Sequence, residues 1–176
     1  MKIAIFIDGG YLSKITKKYN TSIDFCLLSK ELCQGKEILR TIYYNCLPYQ
    51  SNPATDEEKE RFSRAQRFHH ALECLPRYEV KEGKLAKRGT DFEQKGIDTL
   101  LSIDLVNLSA TGKISEAVLI AGDSDFIPAI KVAKDHGVNI FLYHDKDRNE
   151  YHQALWQICD ERIAMNATFL KKFKKK

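Results

Sequence analysis

The chain has 176 residues, 43% hydrophobic and 30% charged, which suits one soluble globular domain with a sizeable core. Its formal charge of +4 says little about partners, because five lysines fall in the last six residues and the body is nearly neutral. No apolar run could span a bilayer, which excludes an intramembrane role, and five cysteines without a C-x-x-C pair point to reduced thiols in a cytoplasmic protein.

Residues 3–7, "IAIFI", are apolar throughout, as expected of a strand covered on both faces, and too few for a signal peptide's apolar region. Short helices are expected at 11–19 and 25–33, with a second buried strand at 37–44 between them and Thr55. Thr55 with Glu58 three residues on forms a capping box, opening a helix to about residue 75. Arg61, Arg64, Arg67 and His70 form a row on that helix, which suits a track for phosphates or, the preferred reading, a solvated face with nearby glutamates as partners. His69 falls with the apolar residues of the same helix and reads as a half-buried core histidine. Residues 78–90 are polar and basic, with a turn expected at Glu82-Gly83, and read as a short hairpin or edge excursion. A long helix is expected from about 92 to 108, then buried strands at 117–121 and 138–143 around a helix over 126–136. The last helix is expected at 151–165, leaving residues 166–176 as a mobile basic tail. Strands alternating with helices imply α/β architecture, built of βαβ units around a parallel sheet in one domain over residues 1–165.

The aspartates carry the functional argument. In an open parallel sheet, ligands bind beyond the carboxyl ends of the strands. The first strand runs into Asp8, and "VLIA" runs through Gly122 into Asp123-Ser124-Asp125. The helix returning to the 117–121 strand begins near this edge and carries Asp98. Asp104, six residues on and inside the apolar stripe, reads as a buried, hydrogen-bonded structural group beneath the site, with a metal-ligand role as the lesser reading. Four carboxylates brought together need a proton or a cation. An oxygen-only donor set suits Mg²⁺ or Mn²⁺, which can bind phosphate and activate water for attack on phosphorus. Lys87, Arg88 and Lys95 precede Asp98 and suit substrate phosphates at the entrance. His144-Asp145, at the same edge, either lines the site or makes a turn.

Three segments also resemble a known family: "IFIDGGYL" (5–12), "QKGIDTLLSIDL" (94–105) and "VLIAGDSDFIPAIKVAKDHGVNI" (118–140). They look like the motifs of NYN domains, in the LabA-like branch of the PIN-like nucleases, and "LWQICDERI" (155–163) is similar to that family's closing helix. The resemblance implies a Rossmann-like (PIN-like) three-layer sandwich and Mg²⁺- or Mn²⁺-dependent hydrolysis of RNA, single-stranded by expectation. By motif, Asp8, Asp98, Asp123 and Asp125 take the metal-binding and catalytic role, and Ser124 sits close to the substrate phosphate or an outer water. A homo-oligomer is left open. Many members carry Asn where this chain has Tyr11, so a domain that binds RNA or protein without cleaving is the alternative. A haloacid-dehalogenase-like phosphatase fits poorly, because its acid would stand two residues after Asp8, where Gly10 is found.

Overall fold

In a computed structural model, which describes the backbone of residues 2–88 and 91–175 and the side chains of 2–85 and 96–175, alternating strands and helices stack in three layers. The strands are β1 (Lys2–Asp8), β2 (Glu37–Cys46), β3 (Tyr78–Arg88), β4 (Asp91–Lys95), β5 (Glu116–Ile120), β6 (Asn139–Asp145) and β7 (Glu161–Met165). The helices are α1 (Gly9–Lys18), α2 (Phe25–Leu32), α3 (Asp56–Glu73), α4 (Ile97–Ala110), α5 (Ile127–Asp135), α6 (Gln153–Ile158) and α7 (Ala167–Lys171). Among the described residues the sheet runs β4-β3-β2-β1-β5-β6-β7, and only β4 is antiparallel to its neighbour. This is a Rossmann-like α/β sandwich, as the alternation implies.

The pleat of β1 explains the two cores. Ala4 and Phe6 face one side, with Tyr44, Leu101, Leu105, Phe126 and Ile130 under α4 and α5. Ile3, Ile5 and Ile7 face the other, with Leu12, Ile15, Leu28 and Tyr43 under α1 and α2. A strand flanked by β2 and β5 and buried on both faces must be apolar without alternation, and β1 is. The Thr55 capping box forms as expected: the Thr55 hydroxyl accepts the Glu58 N–H at 3.2 Å, and Glu58 accepts the Thr55 N–H at 2.9 Å. His69 is buried and pairs with Glu82 at 2.7 Å.

Four expectations are corrected. Residues 92–95 are strand β4, and the helix begins only at Ile97, after Gly96 turns the chain at φ 90°. The expected turn at Glu82-Gly83 is absent: β3 runs on, pairing Gly83 with Cys46, and its partner β4 returns from Asp91. Residues 151–165 are not one helix but α6 followed by edge strand β7, paired to β6 from Phe141–Glu161 to Asp145–Met165. The Arg162 guanidinium donates to the Trp156 and Gln157 carbonyls at 2.6 and 3.0 Å, satisfying the end of α6 that a continuing helix would have used. The terminus is not loose from residue 166 either. Asn166 caps α7, and Leu170 and Phe173 are buried in the α1–α2 core.

Asp104 is half-buried rather than buried, but fully engaged. It accepts the Tyr44 hydroxyl at 2.8 Å and the Lys81 ammonium at 2.7 Å, bracing α4 against β2 and β3. Tyr44 is wholly buried, so removing its acceptor strands a hydroxyl. Asp104→Ala is therefore expected to cost about 1–3 kcal/mol in denaturant unfolding, more than Asp98→Ala. The reverse order would contradict this bracing role.

Candidate metal centre and active site

Each acidic residue is placed by the end of an element. Asp8 closes β1 and caps α1, its Oδ1 accepting the Tyr11 N–H at 3.0 Å. β5 ends at Ile120, and Asp123 then caps a single 3-10 turn, Ser124–Phe126, by accepting the Asp125 N–H at 3.2 Å. Phe126 is buried beneath that turn, with Pro128 in the first turn of α5, so the loop's geometry is anchored from below. Asp98 lies in the first turn of α4, whose N-cap is Gly96, and among the described residues no side chain caps the helix.

The structure brings Asp98, Asp123 and Asp125 together: one carboxylate oxygen from each lies within 4.8 Å of the others. Asp8 lies outside this group of three but close enough to feel the charges of Asp98 and Asp123. Burial pushes the Asp8 carboxyl up to about 6, and the repulsion of Asp98 and Asp123 adds to this, although the Tyr11 N–H opposes it. Asp98 is also raised, by burial first and then by Asp123 and Asp125. Among the described residues no lysine or arginine pairs with Asp98, Asp123 or Asp125, so no protein cation offsets their mutual repulsion there.

This donor set fits a hard divalent ion. It is all oxygen, and the ligand atoms span little more than the roughly 4 Å across an octahedral Mg²⁺ with bonds of about 2.1 Å. Ser124 sits half-buried in the turn between Asp123 and Asp125. The backbone of β3 and β4 leads directly to Asp98, but the side chains of Lys87, Arg88 and Lys95 lie outside the described residues.

Sequence reasoning did not foresee what holds the far wall. Asp145 is fully buried and accepts the Tyr19 hydroxyl at 2.9 Å, the Asp147 N–H at 2.7 Å and the Lys18 ammonium at 3.3 Å. His144 is buried too. Its Nδ1 bonds the Asp145 carbonyl at 2.7 Å and its Nε2 accepts the Trp156 indole N–H at 3.2 Å, while burial lowers its pKa. Both residues therefore frame the site instead of lining it. Tyr11 belongs to the same frame, its hydroxyl accepting the Asp145 N–H at 3.0 Å. Burial raises the pKa of that phenol, so it stays neutral and offers no anionic ligand.

Gly122 is required by this packing. A Cβ there would fall on the Tyr11 ring and against the Glu150 carbonyl. Gly122→Ala is expected to cost about 1–3 kcal/mol, read as a lower melting temperature, by displacing Tyr11 from the loop that holds Asp123. An unchanged melting temperature would show that the ring yields freely.

Three comparisons bear on this arrangement. The NYN domain family matches residues 2–166. A curated relative from Sinorhizobium fredii, the uncharacterized protein y4oD, is 40% identical over 50 residues, covering 28% of this chain and only 23% of that relative's length. The crystal structure of a protein of unknown function, VPA0982 from Vibrio parahaemolyticus RIMD 2210633, matches with a TM-score of 0.72 at 19% identity, over 99% of this chain and 96% of that one. That likeness shows a shared fold. With its motifs at the carboxyl edge of the sheet and a match from residue 2 to 166, the chain belongs to the NYN domain family.

Proposed function

We propose that the chain is a divalent-metal-dependent ribonuclease of the LabA-like branch, acting on single-stranded RNA in the cytoplasm. NYN domains belong to the PIN-like nuclease superfamily, whose NYN members act on RNA in general. The observation that carries the reading is the convergence of Asp98, Asp123 and Asp125 within 4.8 Å, with Asp8 close enough to feel their charge. An Mg²⁺ or Mn²⁺ ion held by these carboxylates would bind a non-bridging phosphate oxygen and lower the pKa of an attacking water. The chain's own contribution is positional. Asp98, Asp123 and Asp125 would supply the anionic ligands from the starts of α4 and of the 3-10 turn, and Asp8 would add a fourth carboxylate from the end of β1. Ser124 is suited to the substrate phosphate, and Lys87, Arg88 and Lys95 to the strand entering along the β3–β4 hairpin.

Five free thiols agree with a reducing compartment, and among the described residues no helix is long and apolar enough to cross a membrane. Tyr11 favours a second reading, in which the domain binds RNA or a protein without cleaving. Its side chain is committed to Asp145 and Gly122, so it cannot reach for metal or phosphate as an asparagine there could. Labelled single-stranded RNA separates the two. Cleavage with Mn²⁺ or Mg²⁺ that stops in EDTA supports the ribonuclease, whereas RNA bound but never cut supports the binder.

A further inference from the structure

Beside the acidic cluster lies a cleft of about 500 Å³ between α1 and residues 149–152, with Asp8 and Asp123 in its wall. That volume falls within the roughly 300–1,000 Å³ of sites for single small molecules. Its walls are built, and their chemistry is mixed. On one side the Tyr11 ring lies against Gly122, fixed by its bond to the Asp145 N–H. One turn along α1, the Lys14 ammonium meets Glu150 at 2.5 Å while its side chain remains 66% exposed. Opposite, the Tyr151 ring is steadied by His144, with centroids 4.4 Å apart. The backbone N–H of His152 donates to the Gly122 carbonyl at 2.8 Å, tying this wall to the loop of Asp123. His152 Nδ1 accepts the Ala154 N–H at 3.3 Å, which puts the neutral ring's proton on Nε2, a donor without a partner among the described residues.

Aromatic faces together with an ammonium and an imidazole N–H suit a ligand that is planar at one end and anionic at the other. Next to a cluster reserved for a cation and a phosphate, that ligand is a nucleotide. We propose that this cleft is a nucleotide subsite: it takes one unpaired nucleotide flanking the scissile phosphate, with Lys14 and His152 on its phosphate and Tyr11 and Tyr151 beside its base. The proposal rests on the ribonuclease reading and adds to it a physical source of strand preference, because a base must leave the duplex stack to enter a cleft. Glu150 is the counterweight. It holds Lys14 in the free protein, and an incoming phosphate must take Lys14 from it.

This gives two variants opposite effects. With Mn²⁺ present, calorimetric titration with uridine or adenosine 5′-monophosphate should show binding weakened about tenfold or more by Lys14→Ala, through loss of a charge-assisted bond. His152→Ala should weaken it as well. Glu150→Gln should tighten it, by freeing Lys14 and removing a repelling charge. The Mn²⁺ affinity of all three should match wild type, which a merely structural defect would not allow. Lys14→Ala and Glu150→Gln shifting affinity in the same direction, or not at all, would overturn the subsite. So would a wild type that binds neither nucleotide, whether or not it cuts RNA. Opposed shifts in a protein that never cleaves RNA would leave the subsite standing and remove the ribonuclease reading instead.

Discussion

Asp98→Asn is expected to lower Mn²⁺-supported RNA cleavage at least about a hundredfold while leaving the fold intact. The size follows from what a bound cation contributes to the transition state, several kcal/mol at about 1.36 kcal/mol per tenfold in rate. The choice of residue follows from the structure. Asp8 and Asp123 also cap α1 and the 3-10 turn, and a buried Asp8 carboxylate burdens the fold, so substitution at either mixes stability with chemistry. Among the described residues Asp98 caps no helix; α4 starts from Gly96, which has no side chain to cap it. Asparagine keeps its shape and removes one negative charge from a group of three held within 4.8 Å. Gel assays of wild type and Asp98→Asn, purified side by side, with circular dichroism on both, read this directly. Equal cleavage by the two would indicate a contaminating nuclease or a different site.

A second large effect runs the opposite way to the usual active-site substitution. In metal-free protein, Asp8→Asn is expected to raise stability at neutral pH by about 3 kcal/mol, from a carboxyl moved from 3.8 to about 6 at about 1.36 kcal/mol per unit. The sign follows from linkage. Burial, reinforced by Asp98 and Asp123, makes the folded state hold the Asp8 proton more tightly than the unfolded chain does. This group's contribution is therefore fully present below about pH 4, is lost as pH rises, and is gone above about pH 6. Asparagine has no charge to lose, yet can still accept the Tyr11 N–H and cap α1. Thermal melts in EDTA should coincide for the two proteins near pH 4 and diverge by several degrees near pH 8. Mn²⁺ should narrow the gap by stabilising wild type more. A metal-free Asp8→Asn that is less stable at neutral pH would mean that the carboxylate is not strained by its neighbours.

The parts legible in the sequence are those with a local cause. β1 and β5 are continuous apolar runs because strands buried on both faces admit little else, and each ends abruptly in Asp8 or in Gly122-Asp123. The direction of α4 follows from its return to β5, which places Asp98 at the same edge. The misread parts have distant causes. β4 (DFEQK) and β7 (ERIAM) lie at the two edges of the sheet, where charged residues are tolerated and alternation is too brief to register. Their strand identity comes from pairing with β3 and β6, which no local pattern announces. The frame of the cleft is equally distant in origin. Lys18, Tyr19 and Tyr11 reach Asp145 across more than 120 residues, so the fixing of residues 145–152 became visible only in three dimensions. The lysines of the terminus suggest a loose tail, while Leu170 and Phe173 among them supply apolar contacts that hold it.

Asp98, Asp123 and Asp125 are expected to hold a divalent cation, and crystals grown or soaked in Mn²⁺ and measured at the manganese absorption edge would reveal it. An anomalous peak at about 2.1–2.2 Å from carboxylate oxygens of these three residues is the predicted result. Mn²⁺ bound elsewhere, or no peak between the three carboxylates at saturating metal, would contradict it.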